Sequence, residues 1–314
     1  MLIVTGGAGF IGSNIVRGLN AEGRDDVIVV DDLSDGHKFT NLVDCAIADY
    51  WDKATLIERL EDLGEVPEAV LHQGACAVTT EWDGRYMLAE NYEYSVDLFE
   101  YCRDRGVPLI YASSAAIYGA STAFREDDAA LERPLNVYGY SKLLFDRYVR
   151  RHAGNAGPQV VGLRYFNVYG PNEAHKGPMA SVVWHLTRQF EATGEMRLFE
   201  GSHGYGDGEQ RRDFIYVGDV VGVVLWFLAH REISGIYNVG TGASASFNDL
   251  ARAVIDYHGA GTIRYIPFPD GLEASYQSFT EADIGALRDA GYAAPFDDIR
   301  AGVRKYLDAL KQKP

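Results

Sequence analysis

Six residues near the start of the chain restrict its fold more than any other stretch. Gly7-Ala8-Gly9-Phe10-Ile11-Gly12 follows the β-branched run Leu2–Thr5 and opens a stretch with helical spacing, Ile11–Glu22. Glycines let the backbone turn sharply and approach an anion, whose charge then sits on the helix N-terminus. With Gly6 included, the segment also reads G-x-x-G-x-x-G. Asp31 closes the next strand, Val27–Asp31, 19 residues past Gly12. A carboxylate placed there accepts a ribose hydroxyl. A tight turn alone would explain the glycines; strand, helix and acid together point to a bound dinucleotide.

The alternation continues downstream. Helical stretches at Lys53–Leu63, about Met87–Arg105 and Tyr138–His152 are interleaved with strands at Ala69–His72, Pro108–Ala112 and Gln159–Arg164. In the long second helix, Leu88, Tyr92, Val96, Phe99 and Cys102 share a face through spacings of three and four. Asp49 falls past the expected third strand, where it either meets adenine or faces solvent. Apolar strands alternating with helices predict a Rossmann-type α/β fold: a doubly wound parallel sheet with its ligand beyond the carboxyl ends of the strands. After Arg164 the rhythm breaks. Residues 165–213 are rich in Gly, Pro and aromatics, with one helix near Ser181–Thr193 and a glycine-rich stretch, Gly201–Gly208. Regular signals return over Phe214–Gly240, then lapse until a final helix, Ile299–Leu310. The expected division is a dinucleotide-binding domain from 1–166 plus about 213–244, and a smaller, discontinuous C-terminal substrate domain from about 167–212 plus 245–314.

Charge narrows the partners. The chain has 314 residues, with 29 Lys and Arg against 45 Asp and Glu, a net charge of −16. Nucleic acid and anionic membrane are poor partners for such a surface, so an anionic ligand must be met by glycine loops, helix N-termini or individual cations. Cys45, Cys76 and Cys102 form neither a disulfide framework nor a C-x-x-C site, and no metal is expected. The longest apolar run, Val220–Ala229, falls far short of the roughly 18 residues of a membrane span, and no basic leader precedes the first strand. A cytoplasmic protein is the expectation.

Tyr138-Gly-Tyr-Ser-Lys142 sets a phenol and an ammonium four residues apart on one helical face. A free phenol is only about one part in a thousand ionised at neutral pH. A nearby ammonium and an oxidised nicotinamide both favour the phenolate, which makes Tyr138 a usable acid/base. By itself the pair reads as a surface contact. Ser113-Ser114 at the end of a predicted strand shifts the balance, because a hydroxyl there can hold a substrate oxygen beside Tyr138.

Strand, glycine cradle, serine and Y-x-x-x-K in this order resemble the short-chain dehydrogenase/reductase superfamily. Arg164-Tyr-Phe-Asn-Val-Tyr-Gly-Pro171, Arg212-Asp-Phe-Ile-Tyr-Val-Gly-Asp219 and Tyr237-Asn-Val-Gly-Thr-Gly242 are similar to its extended branch, which acts on nucleotide-activated sugars. Thr-Thr-Glu-Trp-Asp-Gly at 79–84, Asn-Val-Tyr-Gly-Tyr-Ser-Lys at 136–142 and His175-Lys176-Gly177 go further. With Leu198-Phe-Glu-Gly-Ser202 and Tyr265-Ile-Pro-Phe-Pro-Asp270 they resemble the ADP-L-glycero-D-manno-heptose 6-epimerases, essentially end to end.

The resemblance implies an isomerase that inverts carbon 6 of an ADP-heptose by transient oxidation to a ketone, for the lipopolysaccharide inner core. It implies tightly held NADP, although Asp31 favours NAD where Lys38 favours the 2′-phosphate of NADP. Tyr138 and Lys176 would be two separate acid/bases, with Ser114 orienting the reacting oxygen and Lys142 holding the ribose. Gly6, Gly9, Phe10, Ile11, Gly12, Asp31, Asp32, Lys38 and Lys53 would surround the cofactor. So would Gln73, Gly74, Ala75, Cys76, Ala77, Asn91 and Val168, with Tyr138, Lys142 and Lys176. The sugar nucleotide would meet Ser114, Asn167, His185, Phe199, Glu200, Gly201, Ser202, Arg212 and Tyr276. Pro178 replaces a substrate-contacting serine of the family pattern, and the 203–211 loop is longer. The implied assembly is a homo-oligomer, a pentamer. Competing readings are a UDP-sugar 4-epimerase, a nucleotide-sugar dehydratase and a non-enzymatic NADP redox sensor. A dehydratase wants an acid pair beside the serine, which Ser114-Ala115-Ala116 lacks; a sensor would not need Tyr138 and Lys142.

Overall fold

A computed structural model describes residues 1–154, 157–269 and 277–312. Its elements are β1 (Leu2–Thr5), α1 (Phe10–Ala21), β2 (Val27–Asp31), β3 (Asp49–Asp52), α2 (Leu56–Asp62), β4 (Ala69–His72), α3 (Gly84–Leu88), α4 (Tyr94–Arg105) and β5 (Leu109–Ser114). They continue with α5 (Val137–His152), β6 (Val160–Tyr165), β7 (Asn167–Tyr169), α6 (Val182–Thr193), β8 (Glu195–Phe199), β9 (Arg211–Arg212), β10 (Phe214–Tyr216) and α7 (Val217–Ala229). The chain closes with β11 (Gly235–Val239), β12 (Ala245–Ser246), α8 (Phe247–His258), β13 (Thr262–Ile266), α9 (Gly285–Asp289) and α10 (Ile299–Gln312).

Seven parallel strands form the main sheet in the order β11-β6-β5-β4-β1-β2-β3. Burial on both faces explains why β1, β2 and β4 are nearly continuous apolar runs, whereas the edge strand β3 carries Asp49 and Asp52 and buries only Trp51. Leu2 and Val4 of β1 point into one core with α1 and α7, while Ile3 points into a second with α2, α4 and α5. Gly18 lets α1 close on α7, since a Cβ there would lie 2.5 Å from Val221 Cγ1. Strand order reverses at β1, between β2 and β4. The crevice at such a switch point is where this class of sheet binds its ligand.

A third core lies outside the sheet, with Val183 and Leu186 of α6, Met196 and Leu198 of β8, Leu250 and Val254 of α8, and Val303 and Leu307 of α10. Strands β8 and β13 pair in parallel beside it. The 203–211 loop is tied down by its own side chains. Asp207 Oδ1 accepts from Gly201 N–H at 2.8 Å, and Gln210 Nε2 donates to the Glu200 carbonyl at 2.9 Å.

Several expectations need correction. Regular structure does not lapse after residue 240: α8 follows, its Ser246–Asp249 capping box holding both N-terminal donors. Asp49 begins β3 instead of following it, and its carboxylate accepts from Trp51 Nε1 at 2.7 Å. Strand β5 runs to Ser114, two residues beyond the expected Ala112. The long helix starts at Gly84 and carries a π-turn over Ala89–Glu93. That turn moves the fully buried stripe to Met87, Asn91, Ser95, Leu98, Phe99 and Cys102, leaving Leu88, Tyr92 and Val96 half-buried. Among the described residues no helix is long and apolar enough to cross a membrane.

Candidate active site

A cleft of about 850 Å³ opens at the switch point. Its floor is the junction of β1 with α1. Gly12 cannot carry a side chain, because a Cβ would lie 2.1 Å from the Gly6 carbonyl oxygen. Gly6 has φ +63° and packs on Gly74, where a Cβ would meet the backbone nitrogen at 2.6 Å. Helix α1 begins with no side-chain cap and no acid in its first turn, which leaves its N–H groups to an anion. At the far end, Asp31 Oδ2 accepts from Ala8 N–H at 2.8 Å, and Oδ1 accepts from Lys38 Nζ at 2.7 Å. Lys53 lies between Asp32, at 3.3 Å, and Glu90, at 2.7 Å. Hydrogen bonds from Ser34 hold the Asp32 carboxyl down at about 2, so this corner pairs fixed charges of both signs.

The opposite wall is the 73–77 segment. Thr5 Oγ1 accepts from Gly74 N–H at 3.1 Å and shares a 2.6 Å hydrogen bond with His72 Nδ1. His72 Nε2 meets Ser95 Oγ at 2.9 Å. Burial pushes this imidazole down to about 3, so it is a neutral structural link. Asn91 does not line the cleft. Its amide clasps the main chain of Cys76, accepting from the N–H at 2.7 Å and donating to the carbonyl at 3.0 Å, and also reaches Ser141 Oγ.

Helix α5 brings in the Tyr/Lys pair. Asn136 caps it by accepting from Gly139 N–H at 2.8 Å. Gly139 lets the first turn sit on the segment after β5, since a Cβ would lie 2.7 Å from the Ala116 carbonyl oxygen. Burial raises the Tyr138 phenol above its usual range, and the Ser114 hydroxyl opposes that rise. Lys142 Nζ donates to the Ala112 carbonyl at 3.0 Å, and burial pushes its ammonium down to about 8. Lys176 arrives from a separate helical turn, Ala174–Met179, with its ammonium 5.4 Å from the centre of the Phe10 ring. Burial lowers it too.

The structure thus gathers the glycines, Phe10, Ile11, Asp31, Asp32, Lys38, Lys53, residues 73–77 and Lys176 around one cleft. Tyr138 is not part of the lining, although its phenol feels Cys76 of the 73–77 wall. Asn91, Lys142 and Val168 lie behind the surface, and Val168 packs against the first core. Tyr86, Glu90, Tyr94 and Asp97 line the cleft as well and were not expected. Their spacing of four, four and three along one helix face was the available signal.

Among the sugar-side expectations, Asn167 Oδ1 accepts from Thr280 Oγ1 at 3.3 Å, and Ser202 is buried against Gln210. Arg212 is buried, donates to the Arg211 carbonyl at 3.0 Å and lies over Phe247. Phe199 stacks on Phe268; His185 is half-buried; Glu200, Gly201 and Pro178 are exposed. Tyr276 lies outside the described residues.

These features fit a nicotinamide dinucleotide. The glycine cradle has room for backbone approach and nothing more, and Gln73 Nε2, in the cleft wall, is buried without a hydrogen-bond partner. The NAD dependent epimerase/dehydratase family matches residues 2–240. An ADP-L-glycero-D-manno-heptose-6-epimerase of Alkalilimnicola ehrlichii is 61% identical over 317 residues, covering 100% of this chain and 98% of the relative. The structure of the Helicobacter pylori ADP-L-glycero-D-manno-heptose-6-epimerase superposes with a TM-score of 0.86 at 32% identity, over 99% of this chain and 96% of that one. A Thermus thermophilus UDP-glucose 4-epimerase in complex with NAD gives 0.81 at 29% identity, over 100% and 99%. The chain belongs to the NAD-dependent epimerase/dehydratase family and, within it, to the ADP-L-glycero-D-manno-heptose-6-epimerases.

Proposed function

We propose that this protein converts ADP-D-glycero-D-manno-heptose to ADP-L-glycero-D-manno-heptose, a step towards the lipopolysaccharide inner core, with resident NADP. Carbon 6 bears a hydroxyl and no acidic proton, so its inversion requires a transient ketone. A bound nicotinamide supplies that oxidation and the matching reduction. Tyr138 and Lys176 carry the hydroxyl proton, each serving one epimer, while Ser114 orients the oxygen and Lys142, one helical turn on and behind the cleft wall, tunes Tyr138. The observation that carries this reading is that the two residues ride on different elements, α5 and the 174–179 turn, and that Lys176 lines the cleft. Either epimer can then be served without the nucleotide leaving its pocket. Lys38 and Lys53, beside Asp31 and Asp32, offer cations to a 2′-phosphate and favour NADP over NAD. The sugar nucleotide is assigned to the unit around the third core, about 167–212 plus 245–314, where Arg212 offers a charged donor to its pyrophosphate. Family resemblance supports a cytoplasmic homopentamer.

Substituting each proton carrier tests the mechanism. Tyr138→Phe and Lys176→Met should each retain bound NADP(H), released on denaturation, yet lose about 100- to 10,000-fold in epimerisation. Given a carbon-6 aldehyde analogue, two molecules of which dismutate with one water to one acid and one alcohol, either single variant should keep part of the rate and the double variant none. Full epimerisation by Lys176→Met would leave Tyr138 serving both faces and refute the assignment.

A further inference from the structure

Lys176 rides on a stretch whose two ends are held by one carboxylate. Glu173 is 1% exposed, yet both its oxygens are engaged. Oε1 accepts from Gly170 N–H at 3.3 Å and from the Ser181 hydroxyl at 2.7 Å, and Oε2 accepts from Ser181 N–H at 2.5 Å. Ser181 Oγ in turn accepts from Trp184 N–H at 3.2 Å, which caps α6. Main-chain bonds close the turn from inside: Lys176 N–H donates to the Glu173 carbonyl at 3.0 Å, and Ala180 N–H to that of Gly177 at 3.1 Å. Gly177, with φ +53°, reverses the chain directly after the lysine.

A carboxylate this deeply buried is costly unless its lone pairs are filled. Here they are filled by donors from before and after residues 174–180, so the group that needs compensation is the group that fixes the turn. We propose that Glu173 is the positioning residue for Lys176, pinning the 174–180 stretch at both ends and so setting where the lysine amine meets the substrate. The proposal rests on Lys176 acting as an acid/base. The charge of Glu173 also favours the ammonium that burial disfavours. Other charged or titratable groups around the stretch include His175 within it, Lys38, Asp31 and Asp35 facing His175 from the cofactor side, and Tyr306 of α10, which feels both Glu173 and Arg188.

Glu173→Gln keeps the volume and turns one acceptor into a donor that cannot receive these N–H and O–H groups. Its effect is read on dismutation of the aldehyde analogue in two backgrounds, with bound cofactor measured in each. In Tyr138→Phe, where Lys176 is the remaining acid/base, Glu173→Gln should lower the rate about 10- to 100-fold. In Lys176→Met, where Tyr138 serves, the same change should alter the rate by less than about two-fold. An equal fall in both backgrounds would mean a merely structural role and would overturn the proposal. Full epimerisation by Lys176→Met alone would remove the underlying reading as well, and is seen without touching Glu173. If Glu173→Gln does not fold, Ser181→Ala removes the hydroxyl donor and keeps the N–H. It should show the same asymmetry on a smaller scale, and symmetrical loss or no loss would again overturn the proposal.

Discussion

Arg164 shows how a residue remote from the chemistry sustains it. Fully buried on β6, it donates to Asp146 Oδ2 of α5 at 2.9 Å, to Glu132 Oε1 at 2.5 Å and to the Tyr118 hydroxyl at 2.9 Å. Asp146 also accepts from Tyr111 of β5 at 3.0 Å, so the helix bearing Tyr138 and Lys142 is locked to two strands. Arg150 adds a second cation to Glu132 at 2.7 Å. Removing one partner from a buried ion pair leaves the other uncompensated, which costs more than the pair itself gained. Arg164→Met should therefore lower unfolding stability by about 3–5 kcal/mol in urea titration. A loss below about 1 kcal/mol, the range of an exposed pair, would mean that Asp146 and Glu132 find other partners.

At the scale of elements, the sequence was most legible where one period governs a whole segment. Strand β1, helix α1 and the glycine turn between them stand where the pattern placed them, because burial on both faces leaves an apolar run no other use. Helix α8 escaped notice although Ser246 and Asp249 are a capping pair, since the Gly-rich Asn238–Gly242 stretch masked its start. The π-turn was illegible for a different reason: one extra residue per turn shifts the buried stripe without changing composition. The cradle, Ser114 and the Tyr/Lys pair were readable as local motifs. The clasp of Asn91 on Cys76 and that of Glu173 on Ser181 were not, because they depend on which turns pack together. Asp219, near the start of α7, marks another such packing contact, accepting from Asp297 N–H at 2.9 Å just ahead of α10. Burial raises its carboxyl to about 6, with the Asp297 charge adding and Lys305 opposing. Because this exceeds the unfolded value of about 3.9, the folded chain binds more protons between them, and ionisation subtracts stability as pH rises through about 6. Asp219→Asn should raise Tm at pH 8 and leave it unchanged at pH 4. A Tm gain of the same size at both pH values would show that the titration of Asp219 is not its cause.

At the scale of the whole molecule, a net charge of −16 surrounds a cleft built for an anionic cofactor. The two are reconciled locally by the uncapped end of α1 and by Lys38, Lys53 and Lys176, so the site needs no globally basic surface. The third core includes Tyr169 and Phe214 of the separate β7–β10 pair, on which α10 packs, and it supplies the elements assigned to the sugar nucleotide. The proposed function needs a resident cofactor site and a second, exchangeable site, the arrangement that a closed redox cycle requires. The direct measurement is to incubate the purified protein, with no added dinucleotide, with ADP-D-glycero-D-manno-heptose and, separately, with UDP-galactose, and to follow each product by NMR. The account predicts equilibration of the heptose between its two carbon-6 epimers over many turnovers, with no UDP-glucose formed from UDP-galactose. Interconversion of the UDP-hexoses with the heptose left untouched would contradict it.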